Sequence, residues 1–271
     1  NLNQLFLDAD QFGHEWFARK AEGLDNKEVR KENDKIEAEA VKRIKDKLKK
    51  PDYIPDQAEI NAEAVKIVDE KVYEENNAKA AVIAEQGGWN YKNSSTNAEG
   101  ITAIELAYNE AINNTDPNEV VQVKTEDGAT IEMNTVDFLE SKKQKAIAGV
   151  KDGSINGFFD EDINTQFNFK ENAVKNQKTG VPLHEGAHGA TKKLIKSDPE
   201  GFKQASNILV EFLRTQQPEV FAKMQVEGTN GLRSADGKSW DFEEVFSSFV
   251  EEVAAGNIDL DAHRDFTAFF G

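Results

Sequence analysis

Apolar positions along the first part of the chain recur with a helical period. Leu5, Phe6, Phe12, Trp16 and Phe17 predict a short amphipathic helix within residues 1–22. From Asn26 to Lys50 the charge is dense, yet Ile36, Ala40, Ile44 and Leu48 return every fourth residue, the mark of a helix with a narrow apolar stripe. PDYIPD at 51–56 breaks it, because Pro51 and Pro55 cannot continue a helix. A further helix is expected from about Asp56 to Gln86, carrying Ile60, Ala64, Ile67, Val68, Val72 and Val82 and pairing antiparallel with its predecessor. GGW at 87–89 and the polar run to Gly100 have the composition of a linker.

The pattern then changes. Residues 101–113 are predicted helical, and VVQVKTEDGATIEM at 120–133 alternates on both sides of Asp127-Gly128, as a β-hairpin does. A helix from about Thr135 to Ala148 follows, then two short strand-like pieces, around Phe158 and over Thr165–Phe169. Helices near 199–216 and 218–226, a Gly-rich loop at 228–237 and a last helix in DFEEVFSSFVEEVAAG complete the chain. Helices, a little sheet and helices again predict an α+β fold. The division expected is a helical arm or hairpin region over 1–100 and a second domain over 101–271.

Composition narrows the chemistry. No apolar run approaches the length that spans a bilayer, and no leader pattern opens the chain. Because the chain begins with Asn1, a processed or truncated piece is expected. The net charge of −17 repels phosphate backbones, so nucleic acid is not an expected partner, and neither is a membrane. With no cysteine there are no disulfides or thiolate ligands, and a metal would need histidine and carboxylate.

Two of the four histidines lie in VPLHEGAHGATKKL at 181–194. Four residues make just over one helical turn, so His184 and His188 project from one face and their ring nitrogens can reach one ion at about 2.0–2.1 Å. Glu185 is rotated by about 100° from His184. It stands where it can take a proton from a water that the metal activates. This is the H-E-x-x-H zinc-peptidase pattern. A surface helix carrying two histidines by accident is the alternative. The apolar Val181, Leu183, Ala187 and Ala190 favour a core helix, and the poor helix formers Gly186 and Gly189 suggest close packing. HEWFA at 14–18 is a decoy, since Ala18 stands where a second histidine would be needed.

An open catalytic zinc site takes three protein ligands. Thr191 and Leu194 exclude the metzincin continuation. The helix DFEEVFSSFVEEV offers Glu243, Glu244, Glu251 and Glu252, and His263 lies beyond it. Phe242, Val245, Phe246, Phe249 and Val253 form its apolar stripe, and Glu243 flanks that stripe more closely than Glu244. Periodicity alone therefore does not choose Glu244.

The pairing of H-E-x-x-H with a later helical glutamate resembles the gluzincin metallopeptidases. Glu-Val-Phe-Ser at 244–247 is similar to the pattern in zincins related to the catalytic domain of anthrax lethal factor, over roughly residues 119–260. The resemblance implies a zincin-like domain with Zn2+ held by His184, His188 and Glu244, which lies 244 − 188 = 56 residues after His188. It implies Glu185 as general base and TQFNFKENAV as the edge strand that holds a peptide or protein substrate. Two departures stand out. Ser248 occupies the place where members often carry an acid that orients a histidine. No tyrosine follows Tyr108, so His263 and Arg233 are the candidates for stabilising an oxyanion.

The function expected is zinc-dependent peptide hydrolysis. A different class of reading makes the chain a structural or cargo component of a larger assembly, joined through its N-terminal helices, with a zincin-like domain used once or inactive. The style of the sequence resembles peptidase domains embedded in phage polyproteins, which would make it a virion component; a secreted toxin peptidase is a third possibility.

Overall fold

The computed structural model describes residues 15–125, 129–226, 232, 239–254, 257 and 258. The chain divides into two compact units, 1–74 and 75–271. The described part is mostly helical with little sheet, in keeping with the α+β expectation. No described helix is long and apolar enough to cross a membrane.

In the first unit, α1 (Glu15–Glu22), α2 (Lys27–Leu48) and the first part of α3 (Gln57–Gly87) enclose a small core of Trp16, Phe17, Ile36, Ala40, Ala64, Ile67 and Val68. Leu5, Phe6 and Phe12 lie outside the described residues. The Asn26 side chain caps α2 by accepting from the amides of Glu28 and Val29. Arg43 pairs with Glu70 and Lys47 with Glu63, so α2 and α3 run antiparallel. The predicted stripe is buried at Ile36 and Ala40, but Leu48 is exposed at the helix end.

The polar stretch of linker composition is structured. Asn90–Ser94 forms β1, and Thr96 with Glu99 makes a capping box that starts α4 (Asn97–Asn114). The boundary expected at residue 100 therefore falls inside the second unit. NYKNS shows no apolar alternation because three of its five side chains are exposed, and its pairing partner lies some 75 positions later in the chain.

The second unit continues with β2 (Val120–Lys124) and β3 (Thr130–Asn134), paired antiparallel as the alternation predicts; the tip at Asp127-Gly128 lies outside the described residues. Next come α5 (Thr135–Asp152), β4 (Gly157–Asp160), β5 (Thr165–Phe169) and the short α6 (Lys170–Lys175). The main sheet has the order β1-β5-β4, with β1 parallel and β4 antiparallel to β5. The edge strand implied for TQFNFKENAV is thus corrected: residues 165–169 are the central strand, and β1 and β4 are the two edges. Every residue of β5 is buried. Phe167 and Phe169 pack with Ile104, Tyr108, Leu139 and Val150 from α4 and α5. Gln166 alternates to the other side, where its Nε2 donates to Pro182 O at 2.8 Å.

That bond seats α7 (Val181–Ser197), the helix carrying both histidines, on the sheet. Trp89 Nε1 donates to Gln166 Oε1 at 3.2 Å, and its ring lies over Gly189, where a Cβ would come within 2.9 Å of it. Close packing thus accounts for Gly189. Gly186 has ordinary clearance, and Ala190 is exposed rather than part of the apolar face. Then follow α8 (Pro199–Gln216), α9 (Pro218–Val226) and α10 (Phe242–Ala254), which share a core of Leu209, Phe212, Leu213, Phe221, Met224 and Val245.

Candidate metal centre

Gly180 is the N-cap of helix α7, with Pro182 in the first turn, where proline costs no hydrogen bond. One turn on, His184 and His188 point the same way, with their Nε2 atoms 3.1 Å apart. Helix α10 packs across α7 and brings Glu244 to them. Its Oε1 lies 3.7 Å from His184 Nε2 and its Oε2 3.5 Å from His188 Nε2. Taking one atom from each residue, all three donors lie within 4.8 Å of one another.

Tetrahedral donors at 2.0–2.1 Å from a zinc ion stand about 3.3–3.4 Å apart. The two histidine nitrogens stand 3.1 Å apart and each has a Glu244 oxygen within 3.7 Å, so the group could hold a metal ion.

The far nitrogens are also served. Glu243 Oε1 lies 2.8 Å from His188 Nδ1. Glu251 Oε2 lies 3.2 Å from His184 Nδ1, off the line of a good hydrogen bond, so this contact is chiefly an ion pair. The Glu243 contact favours the His188 tautomer that carries its proton on Nδ1 and leaves Nε2 to face His184 and Glu244. Burial disfavours charge on His184, but Glu251, Glu185 and Glu244 outweigh it and raise its pKa to about 9. Burial likewise acts to raise Glu243 and Glu251, and the histidine contacts overcome it, leaving both below the usual carboxylate range.

Glu243, the alternative to Glu244 on this helix, meets Nδ1 of His188, whereas Glu244 lies nearer its Nε2. One turn beyond Ser248 stands Glu251, seven residues after Glu244 and so on the same helical face, and this is the acid that meets His184. Gly180 makes room for it, since a Cβ there would lie 2.4 Å from Glu251 Cγ. Glu252 is turned away and pairs with Lys223 and Asn257. Glu251 was legible in principle: the spacing 244, 248, 251 is a helical face, but only the packing of α10 on α7 shows that this face meets His184. His263 and Arg233 lie outside the described residues.

Glu185 stands beside the three donors. Its Oε2 accepts from the Phe159 amide of β4 at 3.0 Å, and its surroundings raise its proton affinity, chiefly through burial. A cleft of about 450 Å³ opens from this point, lined by Gly157, Ile155, Val181, Met224, Ser248 and Glu251 among others.

Replacing Glu251 or Glu243 by alanine should weaken zinc binding by 10–100-fold each, the range typical of groups that orient a ligating histidine. Competition with a chromophoric chelator measures this; unchanged affinity in both variants would refute the orienting role. Comparisons with known protein families, with curated proteins and with solved structures found no match to this chain.

Proposed function

We propose that the chain is a zinc-dependent endopeptidase of gluzincin type. The observation that carries the reading is the convergence of His184, His188 and Glu244 on one point, with Glu185 against them and a cleft opening beside the β4 edge. His184, His188 and Glu244 would hold the ion. A bound zinc supplies Lewis acidity, polarising a scissile carbonyl and acidifying water at neutral pH.

The remaining work falls to the protein. Glu185 takes a proton at Oε1, the oxygen not engaged with Phe159, from the water whose oxygen bonds the scissile carbonyl carbon, and delivers it to the nitrogen that leaves as the C–N bond breaks. Glu243 and Glu251 keep the imidazoles oriented throughout. The cleft lets an extended polypeptide lie along β4, whose outer edge no other strand covers among the described residues.

The test is metal analysis together with proteolysis. The purified chain should hold about one zinc ion and cleave an unstructured protein, with cleavage lost on treatment with a zinc chelator and restored by added zinc. Absence of bound metal under zinc-replete conditions would overturn the reading.

A further inference from the structure

The contact between Glu185 and β4 carries information beyond the metal. Phe169 N donates to Asn156 O at 2.9 Å, which makes 156 and 169 a hydrogen-bonded pair of the antiparallel ladder. Bonded pairs recur every second residue, so 158 with 167 and 160 with 165 are bonded, while Gly157 and Phe159 direct their amides away from β5. On an edge strand such amides normally face solvent or a docked chain. The Phe159 amide instead donates to Glu185 Oε2.

We propose that the Phe159 backbone amide is a positioning group for Glu185, pinning one carboxylate oxygen so that the other faces the ion and the scissile bond. This inference rests on the peptidase reading above. Three observations converge on it. The bond is 3.0 Å long and joins a backbone donor to a carboxylate, a combination stronger than a neutral pair. Its donor belongs to a strand held in register by β5, so its position is set by the sheet and not by a rotatable side chain. The strand is anchored at its far end: Asp160 is buried, accepts from the Tyr108 hydroxyl and pairs with Lys142 Nζ at 2.7 Å. A consequence follows for the substrate. The Phe159 N–H is already committed, so a peptide laid along β4 must take its N–H donor from Gly157. Gly157 admits no larger residue, since a Cβ there would lie 2.6 Å from Val181 Cγ1.

Two measurements test this. In isotopically labelled protein, the Phe159 amide should exchange with solvent deuterium at least about tenfold faster in Glu185→Ala than in the wild type, as loss of a charged hydrogen bond implies. Equal exchange would overturn the contact, whether or not the chain is an enzyme. The second comparison uses Phe159→Ala, which loses the ring but keeps the N–H, and Phe159→Pro, which loses both. Proline is tolerated where an edge amide makes no ladder bond. With zinc content and circular dichroism unchanged, kcat should be about 10–100-fold lower in Phe159→Pro than in Phe159→Ala, with similar KM, as a misplaced catalytic group implies. Equal kcat would overturn the positioning role. If zinc-loaded wild type cleaves nothing, the peptidase reading falls and takes the catalytic role with it, while the exchange experiment still decides the contact.

Discussion

Glu185→Gln is expected to bind zinc as the wild type does and to hydrolyse peptides 10²–10⁴-fold more slowly, the loss typical of removing a general base. Glu185 adjoins His184 in sequence but projects from a different angle of α7, and the three donors that converge are His184, His188 and Glu244. Glutamine is nearly isosteric, and its carbonyl oxygen can still accept from the Phe159 amide, so neither the helix nor the edge strand is disturbed. The amide cannot accept a proton at the reacting position. Zinc content and thermal midpoint should therefore stay close to wild type while turnover collapses. Cleavage of a peptide library, read by mass spectrometry, measures the effect. Equal cleavage by both proteins would remove Glu185 from the mechanism. Zinc binding by both without cleavage by either would favour the structural or cargo reading.

Glu244→Ala should weaken zinc binding by on the order of 10²–10⁴-fold, because a site worth about 10–16 kcal/mol loses roughly a third of its binding energy with one of three protein ligands. His188→Ala should do the same. Glu243→Ala should have the smaller effect of an orienting group, since its carboxylate meets Nδ1 of His188 while Glu244 meets Nε2. The pair is informative because the residues are adjacent, equally charged and on one helix turn, so net charge and helix propensity change alike. Equilibrium competition with a chelator of known affinity ranks them. Loss of zinc in Glu243→Ala with retention in Glu244→Ala would reverse the ligand assignment.

What the sequence by itself determined were features set by local geometry. The spacing of His184 and His188 places both on one face of any α-helix. The alternation around Asp127-Gly128 needs only neighbouring residues to pair, and Val120–Lys124 and Thr130–Asn134 do pair. The α10 stripe follows from its 3.6-residue period, and Val245, Phe246 and Phe249 do join the core.

Only the tertiary structure decided the features that depend on distant partners. NYKNS is a strand because β5 lies beside it, and no local pattern distinguishes a polar edge strand from a linker. TQFNF has the polar interior of an edge strand, yet it is central: its buried Gln166 is satisfied by Trp89 and Pro182, which are 77 and 16 residues away. The choice between Glu243 and Glu244 turns on how α10 is rotated about its axis where it crosses α7. Its apolar stripe sets that rotation only coarsely, while adjacent residues differ by about 100° around the helix. Packing against Leu209, Phe212, Leu213 and Met224 fixes the rotation, and with it which carboxylate faces Nε2, which faces Nδ1, and which turns away to Lys223.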